Sequence, residues 1–423
     1  MNNRHLIFIL CFYYNFLSFS QVIENIQLPL PKGASYPFSQ IEPSIAIRKD
    51  KPRYMIAGSV LNDYYYSKNG GKRWKSKSLE SQFGVNGDPV VHVDKKGKFY
   101  YFHLSNPAYG YLDRIVCESS ENIKGRWYSS STPKNGSKAQ DKQWVAECPI
   151  TGNLYLTWTQ FDKYNSNNPL DSSVILFSKS TDEGKSWSSP IRISKFAGDC
   201  LDDDNTVEGA VPTVGPNGEI YVCWSGPKGI MFNRSLDMGE TWLPEEGFVS
   251  DQPMGWNYTI PGFYRSNGLP ITKCDLSTKH PGRIYLNWSD QRNGIDNTDI
   301  WLVYSDDKGE TWSSEIKVNQ DNSEKHQFLT WMDIDQTNGN IFFVYYDRRE
   351  HKNTSTDVYM SFSKDGGKTI EDIKISKDSF TPDENIFFGD YINIAVHDNV
   401  IRPIWPRMDA GKISLWVGLI GLD

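Results

Sequence analysis

One eight-residue phrase recurs five times along the chain. It stands at Ser67-Lys-Asn-Gly-Gly-Lys-Arg-Trp74, Ser180-Thr-Asp-Glu-Gly-Lys-Ser-Trp187, Ser235-Leu-Asp-Met-Gly-Glu-Thr-Trp242, Ser305-Asp-Asp-Lys-Gly-Glu-Thr-Trp312 and Ser363-Lys-Asp-Gly-Gly-Lys-Thr-Ile370. A sixth, worn copy, one residue too long, runs Ser119 to Trp127. A phrase repeating at intervals of roughly 50–70 residues marks a repeat architecture, in which one four-stranded blade takes about 40–50 residues.

Each position in the phrase has a physical role. The Asp accepts hydrogen bonds from backbone N–H groups of its own turn. The Gly supplies the positive φ of a tight hairpin. The Trp carries a large apolar surface onto the neighbouring unit. The phrase therefore reads as a hairpin corner between two strands, without catalytic chemistry. It lacks the alternating acidic ligands and distal Glu of an EF-hand loop.

The segments between phrases read as strands. Blade one is Pro43 to Arg48, Tyr54 to Val60 and Tyr64 to Tyr66; the pattern continues through blade six at Phe328 to Asp333, Ile341 to Tyr346 and Val358 to Phe362. A seventh set, Tyr391 to Val396, Val400 to Trp405 and Ile413 to Val417, lacks a fourth strand, which Val22 to Leu28 would supply. The expected fold is an all-β, seven-bladed β-propeller of four-stranded antiparallel blades. Six blades is the alternative, should the second or last set be an insertion.

The chain begins with Arg4 and His5, an apolar run from Leu6 to Leu17, and Ser18-Phe19-Ser20 before Gln21. This pattern predicts a secretory signal peptide over residues 1–20, cleaved near Ser20, and one propeller domain over 21–423. The expected location is secreted or periplasmic. The apolar run is too short for a membrane span, and no later segment is apolar enough. The net charge of −7, with mixed signs and no basic stripe, argues against nucleic-acid binding. Five cysteines remain after cleavage, at 117, 148, 200, 223 and 274. The number is odd, so at least one has no partner within the chain, and the spacings match no zinc pattern. No metal or cofactor is expected.

In a propeller the residues before each innermost strand converge on one open face. Those positions hold Glu42, Asp88, Lys142, Glu208, Arg265, His326 and Asp390-Tyr391. Several charges around one funnel cost solvation unless a ligand uses them; mutual neutralisation is the plainer alternative. A second layer follows the second strands, at Trp158 with Asp162, Asp290 with Arg292, Asp347 with Arg348 and Arg349, and Arg407 with Asp409. Rim salt bridges account for most of it, although Arg forks also match the carboxylates of acidic sugars. The run Asp202-Asp203-Asp204 reads as a solvated loop. The aromatic segment Trp256 to Tyr264 would form either a stacking wall or the packing of its own loop.

The phrase is the Asp-box, also called the BNR repeat, and the chain resembles the sialidase (neuraminidase) superfamily nearly end to end. The openings Glu42-Pro-Ser-Ile-Ala-Ile and Gly87-Asp-Pro-Val-Val, and the close Phe388-Gly-Asp-Tyr391…Arg402-Pro-Ile-Trp405, are similar to bacterial exo-sialidase-like glycosyl hydrolases. The resemblance implies a Tyr nucleophile with a Glu partner, an Asp acid/base, and three Arg on the substrate carboxylate. By position in the repeat these roles fall to Tyr391, Glu208 and Asp88, with Arg265 in the inner ring and Arg292, Arg349 and Arg407 reaching in from loops. The family's first Arg has no counterpart in Glu42-Pro43-Ser44.

A glycosidase needs two carboxyls flanking the bond, for which Glu42, Asp88, Glu208 and Asp390 are the candidates. The expected partner is an extracellular glycan or acidic sugar, bound by a monomer with Lys142 and His326 among the binding residues. Two other functions fit the same ring. One is a non-catalytic glycan- or protein-binding propeller. The other is a polysaccharide lyase, with His326 or Tyr391 as base and Arg265 neutralising a uronate. Carboxyls left without Arg or Lys partners would favour the hydrolase.

Overall fold

The computed structural model describes residues 22–32, 39–107 and 111–422. The expected signal peptide lies outside the described residues. Seven four-stranded antiparallel sheets are present, and no helix occurs among the described residues. Blade one is typical, with Ser44–Ile47, Met55–Ser59, Asp63–Ser67 and Lys75–Ser78 paired in sequence order. The innermost strands meet in sequence order round the ring, and that of blade seven returns to that of blade one.

The seventh blade completes itself from the other end of the chain. Its sheet runs Asn393–His397, Val400–Asp409, Lys412–Gly421 and then Val22–Gln27. Val22 pairs with Gly421 and Gln27 with Trp416, and the Leu28 N–H donates to Leu415 O at 2.8 Å. The edge of Lys412–Gly421 that would otherwise be open is thus paired. The expected seven-blade count and the role of the first strand are both met.

The hairpin phrases behave as their chemistry predicts. In the fourth full copy Ser305 Oγ donates to Asp307 Oδ1 at 2.8 Å. The Thr311 N–H donates to the same oxygen at 2.9 Å, and the Gly309 N–H to Ser305 Oγ at 2.8 Å. Gly309 has φ 83°. Each Trp then meets an aromatic ring of the preceding blade edge-on: Trp187 on Phe102 at 5.8 Å, Trp242 on Phe177 at 4.9 Å and Trp312 on Phe232 at 5.4 Å. Trp127 of the worn copy does the same to Tyr64 at 5.4 Å. Trp74 packs against Ala395, Ile404 and Leu415 of blade seven and seals the ring.

The five cysteines among the described residues are buried and unpaired. Among the described residues no helix is long and apolar enough to cross a membrane.

Candidate functional site

The mouth of the funnel is set by backbone conformation. Glu42, Asp88, Lys142 and Leu329 all have φ between 49° and 52°, and Gly209 has φ 77°. In blades three, four and six this left-handed residue lies in a bulge of the innermost strand, between Asp141 and Trp144, Glu208 and Val211, and Phe328 and Trp331. Glu42 and Asp88 stand two residues ahead of the strands at Ser44 and Val90. Leu269 and Tyr391 stand two ahead of the strands at Ile271 and Asn393. A non-glycine residue in this region is strained and is held there by its surroundings.

The register corrects the expected ring. Blades seven, one, two and three present Tyr391, Glu42, Asp88 and Lys142, but blades four, five and six present Gly209, Leu269 and Leu329. The mouth is therefore polar on one side and apolar on the other. Glu208 lies one residue ahead of its mouth position and still joins the polar side. Arg265 reaches it from the loop before blade five.

At the centre is a network around Asp390. Arg265 Nε donates to Asp390 Oδ1 at 2.8 Å, and its Nη2 bonds Oδ2. Lys142 Nζ stands 2.9 Å from Oδ2. Arg265 Nη1 also donates to Asp202 Oδ2 at 3.2 Å, which accepts a second bond from Tyr164 Oη at 2.7 Å. Asn267 Nδ2 donates to the Asp390 carbonyl at 2.8 Å. Burial would raise the Asp390 carboxyl, but Lys142 and Arg265 prevail and hold it well below the usual carboxylate range. Burial would likewise lower Lys142, yet Asp390, Asp141, Asp88 and Glu208 keep it firmly charged.

Of the remaining carboxyls only Asp202 has a cationic partner, in Arg265. Six acids, Glu42, Asp88, Asp141, Asp202, Glu208 and Asp390, surround two cations, Lys142 and Arg265. Burial pushes Glu42 well up, with the charges of Asp88 and Asp390 adding to it. Burial also raises Asp88 and lifts Asp141 to about 7 against the pull of Lys142. Glu208 is fully buried, and as a carboxylate neither of its oxygens has a donor. Burial, then the adjacent Asp202, raises it well above its ordinary value. Protonated, it can donate to Asp202, and the orphaned oxygens are explained. Like-charged carboxyls sharing a buried site hold protons in this way.

Three rings close the floor. Trp144 and Trp331 have centroids 4.3 Å apart, and Tyr391 lies 5.3 Å from Trp144 and 6.2 Å from Trp331. The Tyr391 hydroxyl is buried without a hydrogen-bond partner. Burial, then Asp88 and Glu42, push its phenol well up. The carboxyls acting most on Tyr391 are therefore Asp88 and Glu42, whereas the family pattern would pair it with Glu208.

Other candidates lie apart from this cluster. His326 sits three residues ahead of Leu329, against Thr298 Oγ1 at 3.0 Å. Burial and the neighbouring Arg348 lower its imidazole to about 4. Arg292 pairs with Asp290 and Glu315 over Trp301, Arg349 with Asp347 and Asp372 over Tyr359, and Arg407 with Asp409 over Trp416. These are the rim salt bridges that the repeat suggests. Trp256, Tyr258 and Phe263 are buried and anchor their loop to the blades: Trp256 donates to the Thr206 carbonyl, Tyr258 meets Ser289, and Phe263 packs edge-on against Phe328 and Phe388. Asp202 departs from the solvated-loop reading: Arg265 and Tyr164 draw it into the funnel, while Asp204 accepts from the Asn257 N–H at 2.8 Å. Asp141, Tyr164 and Asn267 were not apparent from the repeat, because only Asp141 adjoins a mouth position. Among the described residues no group of acidic, His or Cys side chains is arranged to hold a metal ion.

No protein-family model matches the chain, and no curated protein matches it. Solved structures do. A protein of unknown function from Dyadobacter fermentans is 12% identical at TM-score 0.50, over 95% of this chain and 99% of that one. A polysaccharide lyase of family PL25, an ulvan lyase, is 14% identical at TM-score 0.50, over 91% and 94%. The NanB sialidase from Streptococcus pneumoniae is 10% identical at TM-score 0.48, over 86% and 83%. At these identities the likeness to the first two shows a shared fold and nothing finer.

Proposed function

We propose that this chain is an exported carbohydrate-active enzyme that hydrolyses a glycosidic bond of an extracellular glycan in the carboxyl-rich funnel. The observation that carries the reading is Glu208, a buried acid without a cationic partner, set against Asp202 among surplus carboxyls. A carboxyl whose environment favours its protonated form is what a general acid requires. Glu208 gives its proton to the leaving oxygen as the glycosidic C–O bond breaks. Asp88, beside Tyr391 and Glu42, takes a proton from the attacking water. The ulvan lyase of like fold agrees with a glycan as substrate.

Hydrolysis is favoured over elimination for two reasons. A lyase needs a cation free to neutralise a uronate, and Arg265 is already engaged by Asp390 and Asp202. It also needs a base; His326 stands outside the cluster, and burial, then Asp88 and Glu42, push the Tyr391 phenol well up. The test is a turnover screen on neutral, uronate-containing and sialylated glycans. Turnover should fall by about 100-fold or more in Glu208→Gln and Asp88→Asn and persist in Arg407→Ala. Glycan binding without turnover would make the chain a binding propeller instead.

A further inference from the structure

Outside the funnel, a groove of about 430 Å³ opens between blades two and three, lined in part by Tyr111, Asp113, Lys134, Ser137, Lys163 and Tyr164. Its volume falls within the range of about 300–1,000 Å³ typical of small-molecule sites. It adjoins the funnel through its two tyrosines. Tyr164 donates to Asp202 and is braced edge-on by Phe161 at 5.2 Å. Burial, then Asp141, with Asp88 and Asp202 further on, push the Tyr111 phenol up. The Tyr111 side of the groove is open, since this residue is 54% exposed.

The charges of groove and funnel are opposite. In the funnel six acids outnumber two cations, and both cations are already bound to carboxylates. A further anion there would be buried without a partner, at large cost. At the groove the order reverses. Asp113 is held bidentately by Arg114 at 2.9 Å, and Lys134 stands 3.3 Å away. Lys163 forms no ion pair among the described residues. The lining thus holds two lysines and one carboxylate beside two aromatic rings, which suits a sugar ring bearing negative charge.

We propose that the groove is a second sugar subsite, which takes an anionic sugar, carboxylated or sulfated, adjacent in the chain to a neutral ring cleaved in the funnel. The assignment rests on the reading of the funnel as a glycan-cleaving site. It places recognition of charge one residue away from the bond broken.

The test is binding to the full chain, measured by calorimetry. The probes are a uronate tetrasaccharide, a sulfated tetrasaccharide and a neutral tetrasaccharide. The acidic probes should bind more tightly than the neutral one, and their affinity should fall as salt rises. The double variant Tyr111→Ala, Lys163→Ala should lose about tenfold or more in that affinity, while Glu208→Gln retains it. Which acidic probe binds separates carboxylate from sulfate. Equal binding of the neutral probe, no binding of either acidic probe, or unchanged affinity in the double variant would overturn the subsite. Binding lost in the double variant without turnover of any glycan would leave the subsite standing and remove the hydrolase.

Discussion

Arg265 Nε donates to Asp390 Oδ1 at 2.8 Å, so the guanidinium nearest the funnel already holds a carboxylate of its own chain. With Lys142 on the other oxygen, Asp390 is a structural anion that ties blade seven to blade three and to the loop before blade five. Removing one partner of a buried ion pair leaves the other charge uncompensated. Asp390→Ala should therefore lose about 3–5 kcal/mol, read as a lowered urea midpoint. Unchanged stability would show that the network does not hold the blades together.

Glu208→Gln separates catalysis from stability. The Gln amide has the shape of a protonated acid and can donate to Asp202 as the acid does. The folded protein should melt at the same temperature as wild type or higher at neutral pH, while turnover falls by about 100-fold to 10,000-fold. A marked loss of stability would mean that Glu208 is ionised and needed as an anion.

Acidity should stabilise the protein over a defined window. Asp141 has an ordinary value of 3.8 and is raised to about 7 in the fold, mainly by burial. As pH rises through this interval, the unfolded chain releases a proton that the folded chain retains. Stability therefore declines with rising pH across it. Glu42 and Glu208 are raised also and add to the slope. Asp141→Asn preserves an oxygen to accept from the Lys142 N–H, now at 2.8 Å, and should flatten the decline. Denaturant midpoints measured from pH 4 to 7 check it; an unchanged slope would exclude Asp141 as a source.

Trp144 is the keystone of the aromatic floor, within ring contact of both Trp331 and Tyr391. Trp144→Ala should cost about 3–5 kcal/mol, the usual range for truncating a buried aromatic. It should also free the Tyr391 ring. Thermal unfolding checks the first expectation and ultraviolet titration of the phenol the second.

The carboxylates of the repeated hairpin phrase should matter far less. Asp307 stands at the surface and ties only its own hairpin. Asp307→Ala should cost about 1 kcal/mol, the order of a lost turn hydrogen bond, with turnover unchanged.

The fold was legible because its grammar is local. Asp, Gly and Trp in fixed order specify a turn and its packing partner within eight residues, and Trp312 finds Phe232 as the phrase requires. The site was legible only in part. Glu42, Asp88, Lys142 and Tyr391 follow from counting back from each innermost strand. The count fails in blades five and six, where Leu269 and Leu329 take the mouth and Arg265 and His326 lie further back along the chain. Asp202 could not be recognised, because an acidic run in a loop looks the same whether or not Arg265 folds back onto it. Local composition carries no record of such long-range pairing.

The pairing of Val22–Gln27 with Lys412–Gly421 also fixes the order of events during synthesis. Glu42 leaves the ribosome early, and Asp390, whose charge acts on it, emerges near the end. The first strand must wait for the last before either has its final neighbour. A nascent chain can stack the early blades one by one, but it has no finished ring until Lys412–Gly421 has emerged. Any truncation before Lys412 would remove the strand between Val22–Gln27 and Val400–Asp409, leaving a row of blades without a closed mouth.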